Sequence, residues 1–499
     1  MKSTSSLPIA AEHSPLLCSI AGHAADTPDK VALVSGTCRV SYRQLSSHIV
    51  AAAAFLQSLD LKSGDCIVLS AHKELEFVYL YFAAHLLGIV NVVIDPASPR
   101  DRIDYILDIV KPAAVIGDHL AIDDYRCVAF DGLGVQDEAP DVVLPVGIKA
   151  TDVADVMFTT GTTGAPKGVC LSHANIAGSA SNTNGFIGNR ADDVEALALP
   201  LSHSFGLGRL RCTLMAGATL VMVGNFANLK SFFAVIETEH VTGFGMVPAV
   251  WQYIKRLSGR RIAKFAGQLR YIEMGSAPLP LEDKRLLMEL FPDTRLCMHY
   301  GLTEASRAMF TEFHASAANL ETVGRPSSPL VEVCIIDDEG QPLPAGIDGE
   351  VCVRGNMVSR SYFLPTDNEG AYWGDWFRTG DWGHCDDEGN FYLTGRKKEL
   401  INVGGEKVSP ATIEAAILSL GIADCACIAI PDPNDVLGEV PKAFLQAGGT
   451  SLTIDQIKAR LADLLPPHEL PVQWEWVDRI PRTASGKIQR LKLKGTSIN

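Results

Sequence analysis

Residues 158–173 read FTTGTTGAPKGVCLSH, in which a threonine- and glycine-rich loop leads into a lysine and an apolar run. Main-chain N–H groups and hydroxyls of such a loop can surround phosphate oxygens, and Lys167 adds a positive charge. The GxxxxGK[ST] pattern of Walker loops is absent. The stretch therefore predicts a phosphate-binding loop of a different kind, and the alternative is a solvated turn between strands. The residues predicted to bind phosphate are Thr159, Thr160, Gly161, Thr162, Thr163, Gly164 and Lys167.

Helical and strand-like patterns alternate before this loop. Helical patterns over 42–59 and 74–87 are each followed by a short apolar run, at 66–70 and 90–94. This alternation is typical of α/β architecture. Residues 331–355 instead have the Gly- and Pro-rich turns of an antiparallel hairpin, and shorter α and β segments follow. We therefore expect a large α/β body followed by a small C-terminal α+β unit.

Three further clusters carry groups suited to a nucleotide. In HYGLTEAS, the carboxylate of Glu304 could hold Mg²⁺ through one oxygen, although this could also be an ordinary strand end. In WFRTGDW and YLTGRKKE, Asp381 suits a ribose diol and Arg396 suits phosphate or ribose oxygens. In PRTASGKI, Lys487 lies on a glycine-containing loop, where a solvated tail lysine is the alternative.

The order and spacing of these four clusters resemble the adenylate-forming superfamily of acyl-CoA synthetases, peptide-synthetase adenylation domains and luciferases. The resemblance covers essentially the whole chain. It implies an α/β fold with a large N-terminal body of stacked α/β layers, a β-barrel-like subdomain and a small mobile C-terminal α+β domain. Residues 1–396 would bind ATP and the acid, and residues 397–499 would form a mobile cap that carries the catalytic lysine.

The resemblance also implies individual roles. The loop at 159–167 would bind the β- and γ-phosphates of ATP, and Glu304 would ligate Mg²⁺. Thr303 would lie near the α-phosphate, Lys398 at the interdomain hinge, and Lys487 would bridge the substrate carboxylate and the α-phosphate. The residues that would flank the adenine or hold the ribose are Gly275, Ser276, Ala277, Tyr300, Gly301, Asp381 and Arg396.

The acid pocket is expected around LPLSHSFG, where His203 resembles the family's pocket gate, with a core histidine as the alternative. Arg209 could contact a polar group or second carboxylate of the substrate, or pair at the surface or within the protein. Arg211 lies two residues later on a helix, so at most one of the two arginines can face the pocket. The His299 ring would narrow the acid tunnel, and together with Arg307 it favours a compact or polar acid. The other pocket candidates are Phe244, Gly245 and Met246.

The second substrate is less constrained by the sequence. CoA is the commonest acceptor in stand-alone members, and no carrier-protein segment follows Lys487. The segment LPPHELP, with Glu469 where a lysine is often found, is nearer to that of peptide-synthetase domains. A CoA thioester is therefore the leading expectation, and amide formation with an amine or loading of a carrier protein are the alternatives. A non-catalytic nucleotide-binding relative is disfavoured, because Glu304, Asp381, Arg396 and Lys487 are all present.

Composition excludes other classes. The 499 residues carry 43 Lys and Arg against 58 Asp and Glu, a net charge of -15, which argues against a nucleic-acid partner. The membrane-like run at 77–94 is interrupted by polar residues and is better explained by a buried helix and strand. The N-terminal stretch has no secretory signal pattern, and the twelve scattered cysteines suggest reduced thiols. We therefore expect a cytoplasmic protein with no membrane span.

Overall fold

The structure is a computed structural model of the chain. It describes residues 7, 13–117, 127–129, 142–159, 165–446, 452–482 and 488–494.

The chain divides into two compact units. The first comprises Met1–Thr160, Pro166–Glu332 and Val353–Phe377, and the second comprises Gly161–Ala165, Val333–Cys352 and Arg378–Asn499. The functional boundary predicted between residues 396 and 397 stays a prediction.

The helices of the described residues are α1 (Pro15–Asp26), α2 (Tyr42–Ser58), α3 (Leu75–Leu87), α4 (Arg100–Val110), α5 (His173–Ile187), α6 (Ser204–Met215), α7 (Leu229–Thr238), α8 (Pro248–Ser258), α9 (Leu281–Leu290), α10 (Pro410–Ser419), α11 (Ile454–Leu461) and α12 (Arg490–Lys494).

The strands of the same residues are β1 (Val31–Ser35), β2 (Cys38–Ser41), β3 (Cys66–Ser70), β4 (Val90–Ile94), β5 (Ala114–Ile116), β6 (Cys127–Val128), β7 (Val153–Phe158), β8 (Gly168–Ser172), β9 (Val194–Leu197), β10 (Thr219–Met222), β11 (Gly243–Met246), β12 (Tyr271–Met274), β13 (Arg295–Tyr300), β14 (Met309–Glu312), β15 (Arg325–Pro326), β16 (Val331–Ile336), β17 (Gly349–Gly355), β18 (Ser361–Tyr362), β19 (Tyr372–Trp373), β20 (Trp376–Cys385), β21 (Phe391–Arg396), β22 (Ile401–Val403), β23 (Glu406–Val408), β24 (Cys425–Pro431), β25 (Glu439–Gln446) and β26 (Gln473–Val477).

Two sheets build the first unit. One has the order β15-β14-β13-β12-β11-β9-β10-β1-β2, and the other has the order β18-β8-β7-β4-β3-β5-β6. The inner strands are parallel and almost wholly buried, as the apolar runs of these strands require. In parallel sheets the carboxyl ends of the strands share one edge, where ligands bind in open α/β folds. The residues that follow β11, β12 and β13 therefore belong to one candidate site.

Helix α3 explains the membrane-like run in the sequence. All its residues from Phe77 to Leu87 are buried, and Gly88 ends the helix in the left-handed conformation at a φ of 67°. Strand β4 follows directly and is buried along its length. Within the described residues, no helix is both long enough and apolar enough to cross a membrane.

A capping box fixes the chain after the glycine-rich loop. Strand β8 ends at Ser172, whose Oγ accepts a 3.1 Å hydrogen bond from the Asn175 amide. The Asn175 side-chain oxygen in turn accepts from the Ser172 amide at 3.0 Å. These reciprocal bonds satisfy two N–H groups at the start of α5 and make the helix begin at His173, immediately after the strand.

The second unit is built around a small sheet. Strands β24 and β25 pair antiparallel, and β26 adds to β25 in parallel. The apolar face is covered by α10 and α11, whose buried residues include Ile413, Ile417, Ile457 and Leu461. Strands β20 and β21 form an antiparallel ribbon in the same unit, with Asp381 opposite Arg396.

The predicted fold class is confirmed: the chain is mixed α/β, with a large N-terminal body and a small C-terminal domain. Strands β16, β17, β19, β20 and β21 belong to one five-stranded sheet, and the β-barrel-like subdomain stays a prediction. None of the twelve cysteines, all of which lie in the described residues, forms a disulfide.

Candidate functional site

Glu304 lies in the turn that follows β13. Its side chain is buried, and its Oε1 accepts a 2.7 Å hydrogen bond from the Tyr362 hydroxyl. The Ser359 amide donates to the Glu304 main-chain carbonyl at 2.8 Å, so the turn is held at both backbone and side chain. Burial and the adjacent Glu304 carboxylate raise the pKa of Tyr362, which therefore stays a neutral donor. Tyr362 was not among the predicted site residues.

Tyr362 also contacts the lysine of the glycine-rich loop. The Lys167 ammonium lies 5.0 Å from the centre of the Tyr362 ring and 3.2 Å from Asp367 Oδ1. The Lys167 amide donates to Thr159 Oγ1 at 3.1 Å, and the Thr159 amide donates to the Lys167 carbonyl at 2.9 Å. The two ends of the loop are thus paired, and Tyr362 brings Lys167 and Glu304 together. The predicted residues Thr160, Gly161, Thr162, Thr163 and Gly164 lie outside the described residues.

The predicted adenine-flanking residues share one edge of the nine-stranded sheet. Met274 at the end of β12 is opposite Met298 on β13, so Gly275 lies beside His299 and Tyr300. A Cβ on Gly275 would come within 2.2 Å of the His299 ring, which is why this position needs glycine. Ser276 has a φ of 74°, a left-handed conformation that is uncommon for a residue with a side chain. Ala277 continues this turn, and Gly301, Leu302 and Thr303 follow Tyr300 in the turn that leads to Glu304.

In the second unit, Asp381 and Arg396 are cross-strand neighbours. Arg396 Nε lies 2.6 Å from Asp381 Oδ1, and Asp381 is buried whereas the arginine is partly exposed. Gly380, inside β20, has a φ of 69°, and Thr379 Oγ1 accepts a hydrogen bond from the Asp381 amide at 3.0 Å. The ribbon thus holds the carboxylate rigidly next to an accessible guanidinium. Lys398 lies in a single 3₁₀ turn directly after Arg396, and Lys487 lies outside the described residues.

His203 precedes α6 and is exposed to solvent. Partial removal from water lowers the pKa of the His203 imidazole. The Asp95 carboxylate opposes this shift, and the Arg102 guanidinium adds to it. The exposed imidazole is therefore neutral at pH 7. The alternative of a core histidine does not fit this exposure.

Arg209 is a correction to the predicted substrate pocket. It is fully buried, and its guanidinium pairs with Glu195 through Nε at 2.6 Å and with Glu273 through Nη1 at 3.0 Å. The structure thus has the intraprotein ion pair rather than a group available to a substrate carboxylate. The physical reason is that a buried arginine cannot lose its charge and needs a partner anion. Arg211 pairs with Asp155.

Phe244 and Met246 are also not where the pocket prediction put them. Gly245 faces Phe205, since a Cβ there would lie 3.1 Å from the Phe205 ring. Phe244, on the opposite face of β11, packs edge to face on Phe232 of α7 at 5.3 Å, and strand alternation gives Met246 the same face as Phe244. Gly245 is therefore the residue of β11 that faces Phe205, and the rings of Phe205 and His299 lie 4.6 Å apart.

His299 is held by an acidic partner that the sequence analysis missed. Its Nδ1 lies 2.7 Å from Glu273 Oε1, which also accepts from Arg307 Nε at 2.7 Å. Burial opposes ionisation of Glu273, but Arg307, Arg209 and His299 outweigh it and hold the pKa of this carboxyl well below its usual range. The available signal was a glutamate in the middle of a short apolar strand, YIEM, as also in VEAL around Glu195.

Comparison with known proteins identifies the family. Residues 20–363 match AMP-binding enzymes, and residues 412–487 match the C-terminal domain of AMP-binding enzymes. The chain belongs to this family. The predicted membership of the adenylate-forming superfamily is thereby confirmed, as is the prediction of an AMP-forming ligase of the acyl-CoA synthetase type.

Several members of the AMP-binding enzyme family are similar over almost the full chain. The 2-succinylbenzoate–CoA ligase of Bacillus licheniformis is 30% identical, covering 94% of this chain and 97% of that protein. The 4-coumarate–CoA ligase 5 of Oryza sativa subsp. japonica is 29% identical, covering 97% of this chain and 94% of that protein. The o-succinylbenzoate CoA synthetase of Bacillus subtilis with its acyl-adenylate superposes with a TM-score of 0.86 at 26% identity, covering 97% of this chain and 99% of that one. The same Bacillus subtilis enzyme has been solved with ATP and magnesium, and this complex gives a TM-score of 0.85 at 26% identity, covering 95% and 99%.

Proposed function

We propose that this AMP-binding enzyme activates a compact carboxylic acid with ATP and transfers the acyl group to CoA. In the first step a substrate carboxylate oxygen attacks the α-phosphorus of ATP, and pyrophosphate leaves. In the second step the CoA sulfur attacks the acyl carbonyl, its proton is lost, and AMP leaves. The observation that carries the proposal is the contact of Tyr362 with both Glu304 and Lys167, in a chain whose relatives are named as CoA ligases.

Glu304 fits a single-carboxylate magnesium ligand. Among the described residues its carboxylate has a neutral phenol as donor and no basic partner within ion-pair distance, so its charge is left for a cation. No cluster of three or more ligating side chains occurs in the part of the chain that the structure describes. That agrees with Mg²⁺, which in nucleotide sites takes one or two carboxylates and completes its shell with phosphates and water. Bound there, Mg²⁺ would neutralise phosphate charge.

The residues of the chain supply binding and charge. We assign the adenine to the turn at Gly275, Ser276 and Ala277 and to Tyr300 and Gly301, where missing or small side chains let the base approach the backbone. Thr303 would donate to the α-phosphate. Asp381 would accept hydrogen bonds from the ribose hydroxyls and Arg396 would donate to the ribose or phosphate oxygens.

Two lysines would offset the repulsion between the carboxylate and ATP. Lys167 would contact the outer phosphates with the loop from Thr159 to Gly164. Lys487 would bridge the acid and the α-phosphate as charge develops on the phosphoryl oxygens, and electrostatic groups of this kind contribute about 3 kcal/mol or more to the transition state. The hinge at Lys398, the mobility of the C-terminal domain and a cytoplasmic location stay predictions.

The acid would enter past His203 and lie against Gly245, Phe205 and His299. The His299 ring packs on Phe205 at 4.6 Å and on the backbone of Gly275, which limits the room for a long chain. A compact acid fits this arrangement better than a fatty acid.

CoA is proposed as the acceptor because the relatives named above are CoA ligases, and this chain aligns with them over nearly their full length. An amine or a carrier protein would be detected as an alternative acceptor in the test below.

The test is carboxylate-dependent exchange of pyrophosphate into ATP over a panel of acids, followed by mass spectrometry of the products formed with CoA. We expect exchange with short acids, an acyl-CoA product, and loss of exchange in Glu304→Gln and Lys487→Ala. Lys458→Ala, which removes an exposed lysine of α11, is the control that should retain exchange. Exchange that survives Lys487→Ala would overturn the assignment, and an amide or a loaded carrier protein in place of the thioester would overturn CoA as acceptor.

A further inference from the structure

A balanced set of buried charges lies behind His299. Four side chains, each at most 2% exposed, form it, two acidic and two basic. They are Glu195, Arg209, Glu273 and Arg307. Glu195 Oε2 also accepts from the Tyr271 hydroxyl at 2.8 Å and from Thr213 Oγ1 at 2.8 Å. The formal charge of this network is therefore zero.

Both guanidinium groups have an acceptor at every nitrogen. Arg209 gives Nε and Nη2 to Glu195 and Nη1 to Glu273. Arg307 gives Nε to Glu273 at 2.7 Å, Nη2 to the Phe205 carbonyl at 3.0 Å and Nη1 to Ser306 Oγ at 3.3 Å. Each nitrogen of both guanidinium groups thus already has an acceptor within the protein. Arg307 also fixes the first turn of α6 through Phe205, the residue on which His299 packs.

His299 adds no positive charge to the network. Burial lowers its pKa, and the nearby arginines lower it further, although Glu273 opposes the shift. With its pKa lowered in this way, the His299 ring is neutral at pH 7. The wall formed by His299 and Phe205 therefore presents a neutral surface to the proposed acid site.

Two further basic side chains, the half-buried Lys73 and the buried Arg211, also have acceptors within the protein. The Lys73 ammonium donates to the carbonyls of Ala198, Val223 and Gly224, at 2.5, 3.2 and 2.5 Å. Arg211 is matched by Asp155, which is fully buried. Lys73 and Arg211 therefore already have acceptors within the protein.

We infer that the acid site selects monocarboxylic acids and rejects acids with a second carboxylate. This inference rests on the proposed function and names its substrate class. The first carboxylate is neutralised where the chemistry occurs, but a second one reaching the His299 wall would be buried without a counterion. Burying an unpaired charge costs several kcal/mol, and neutralising it by taking Arg307 from Glu273 would leave that carboxylate unpaired instead.

The test compares matched pairs of acids in pyrophosphate exchange with the full-length enzyme: butyrate with succinate, propionate with malonate, and benzoate with 2-succinylbenzoate. We expect each dicarboxylate to be used with a kcat/KM at least about 100-fold below that of its monocarboxylate partner. Equal or better use of the dicarboxylates by the wild-type enzyme would overturn the inference. Exchange with none of the acids, mono- or dicarboxylic, would instead count against the proposed function.

Removing the negative charge of Glu273 should change the preference between monocarboxylic and dicarboxylic acids. In Glu273→Gln the network keeps two guanidinium groups against one carboxylate, so the ratio of dicarboxylate to monocarboxylate kcat/KM should rise by about 10-fold or more. Glu289→Gln, which removes one carboxylate from an exposed pair with Arg260, is the matched control and should leave the ratio unchanged. An unchanged ratio in a folded Glu273→Gln enzyme would contradict the role of the network. If that variant does not fold, the wild-type comparison alone decides.

Discussion

The Tyr362 hydroxyl donates a 2.7 Å hydrogen bond to Glu304 Oε1. The two residues are 58 positions apart in the sequence, and the same tyrosine ring lies under the Lys167 ammonium. One phenol therefore orients the proposed metal ligand and limits the positions open to the loop lysine.

Tyr362→Phe should weaken ATP use without unfolding the protein. The variant keeps the ring and loses the donor, so Glu304 becomes freer to rotate. Loss of a hydrogen bond to a charged group corresponds to about 10-fold in kcat/KM for MgATP. Pyrophosphate exchange at varied MgATP measures the effect. Tyr372→Phe, which removes a 3.1 Å bond to the Ser359 carbonyl instead, is the control. If the two variants behave alike, Tyr362 has no special part in the site.

Arg209→Leu should destabilise the first unit strongly. Glu195 would lose its charged partner in the interior, and breaking a buried pair on one side costs about 3–5 kcal/mol. Arg260→Leu breaks the exposed pair with Glu289 and should cost no more than about 1 kcal/mol. Calorimetric melting of each variant gives the comparison. Adding Glu195→Gln to Arg209→Leu should recover part of the loss, and a double variant less stable than the single one would contradict the ion-pair explanation.

The stability of the enzyme should fall as the pH drops below about 6.5, in part because of His173. Burial, with His85 and His13 adding to it, lowers the pKa of His173 to about 3. Between pH 6.5 and 3 the unfolded chain binds a proton at this position and the folded chain does not, so stability rises with pH across that window. The slope is about 1.4 kcal/mol per pH unit, or about 2 kcal/mol between pH 6.5 and 5.

His173→Phe tests this dependence. Neither ring nitrogen has a hydrogen-bond partner among the described residues, so a phenyl ring of similar shape loses nothing there. Melting temperatures measured from pH 7 to pH 5 should decline less steeply in His173→Phe than in the wild type. His468→Gln, at an exposed position, should keep the wild-type slope. A slope that His173→Phe leaves unchanged would place the acid sensitivity elsewhere.

Local sequence patterns predicted the helices and strands well. The candidate site was predicted less completely, because it depends on contacts between segments that are distant in the sequence. Strands 66–70 and 90–94 have the predicted bounds because turn residues close each apolar run. The partners of Arg209 and Glu304 come from distant segments, and no local pattern indicates them. Phe244 was predicted to line the acid pocket but packs on Phe232, and a strand buried on both sides has no alternation of polar and apolar residues to show which residues share a face.

Gly208 is buried in α6, next to Arg307 of the charge network. This contact links the neutral wall to two sequence positions that can be compared in other members of the family. A Cβ at this position would lie 2.3 Å from Arg307 Nη1, and that guanidinium is held at all three nitrogens. Glycine at 208 and arginine at 307 therefore depend on each other. A relative with a larger residue at the first position must lack arginine at the second, or hold it differently. This pair of positions, 99 residues apart, offers a two-letter marker for sorting members of the family by the acids that they accept.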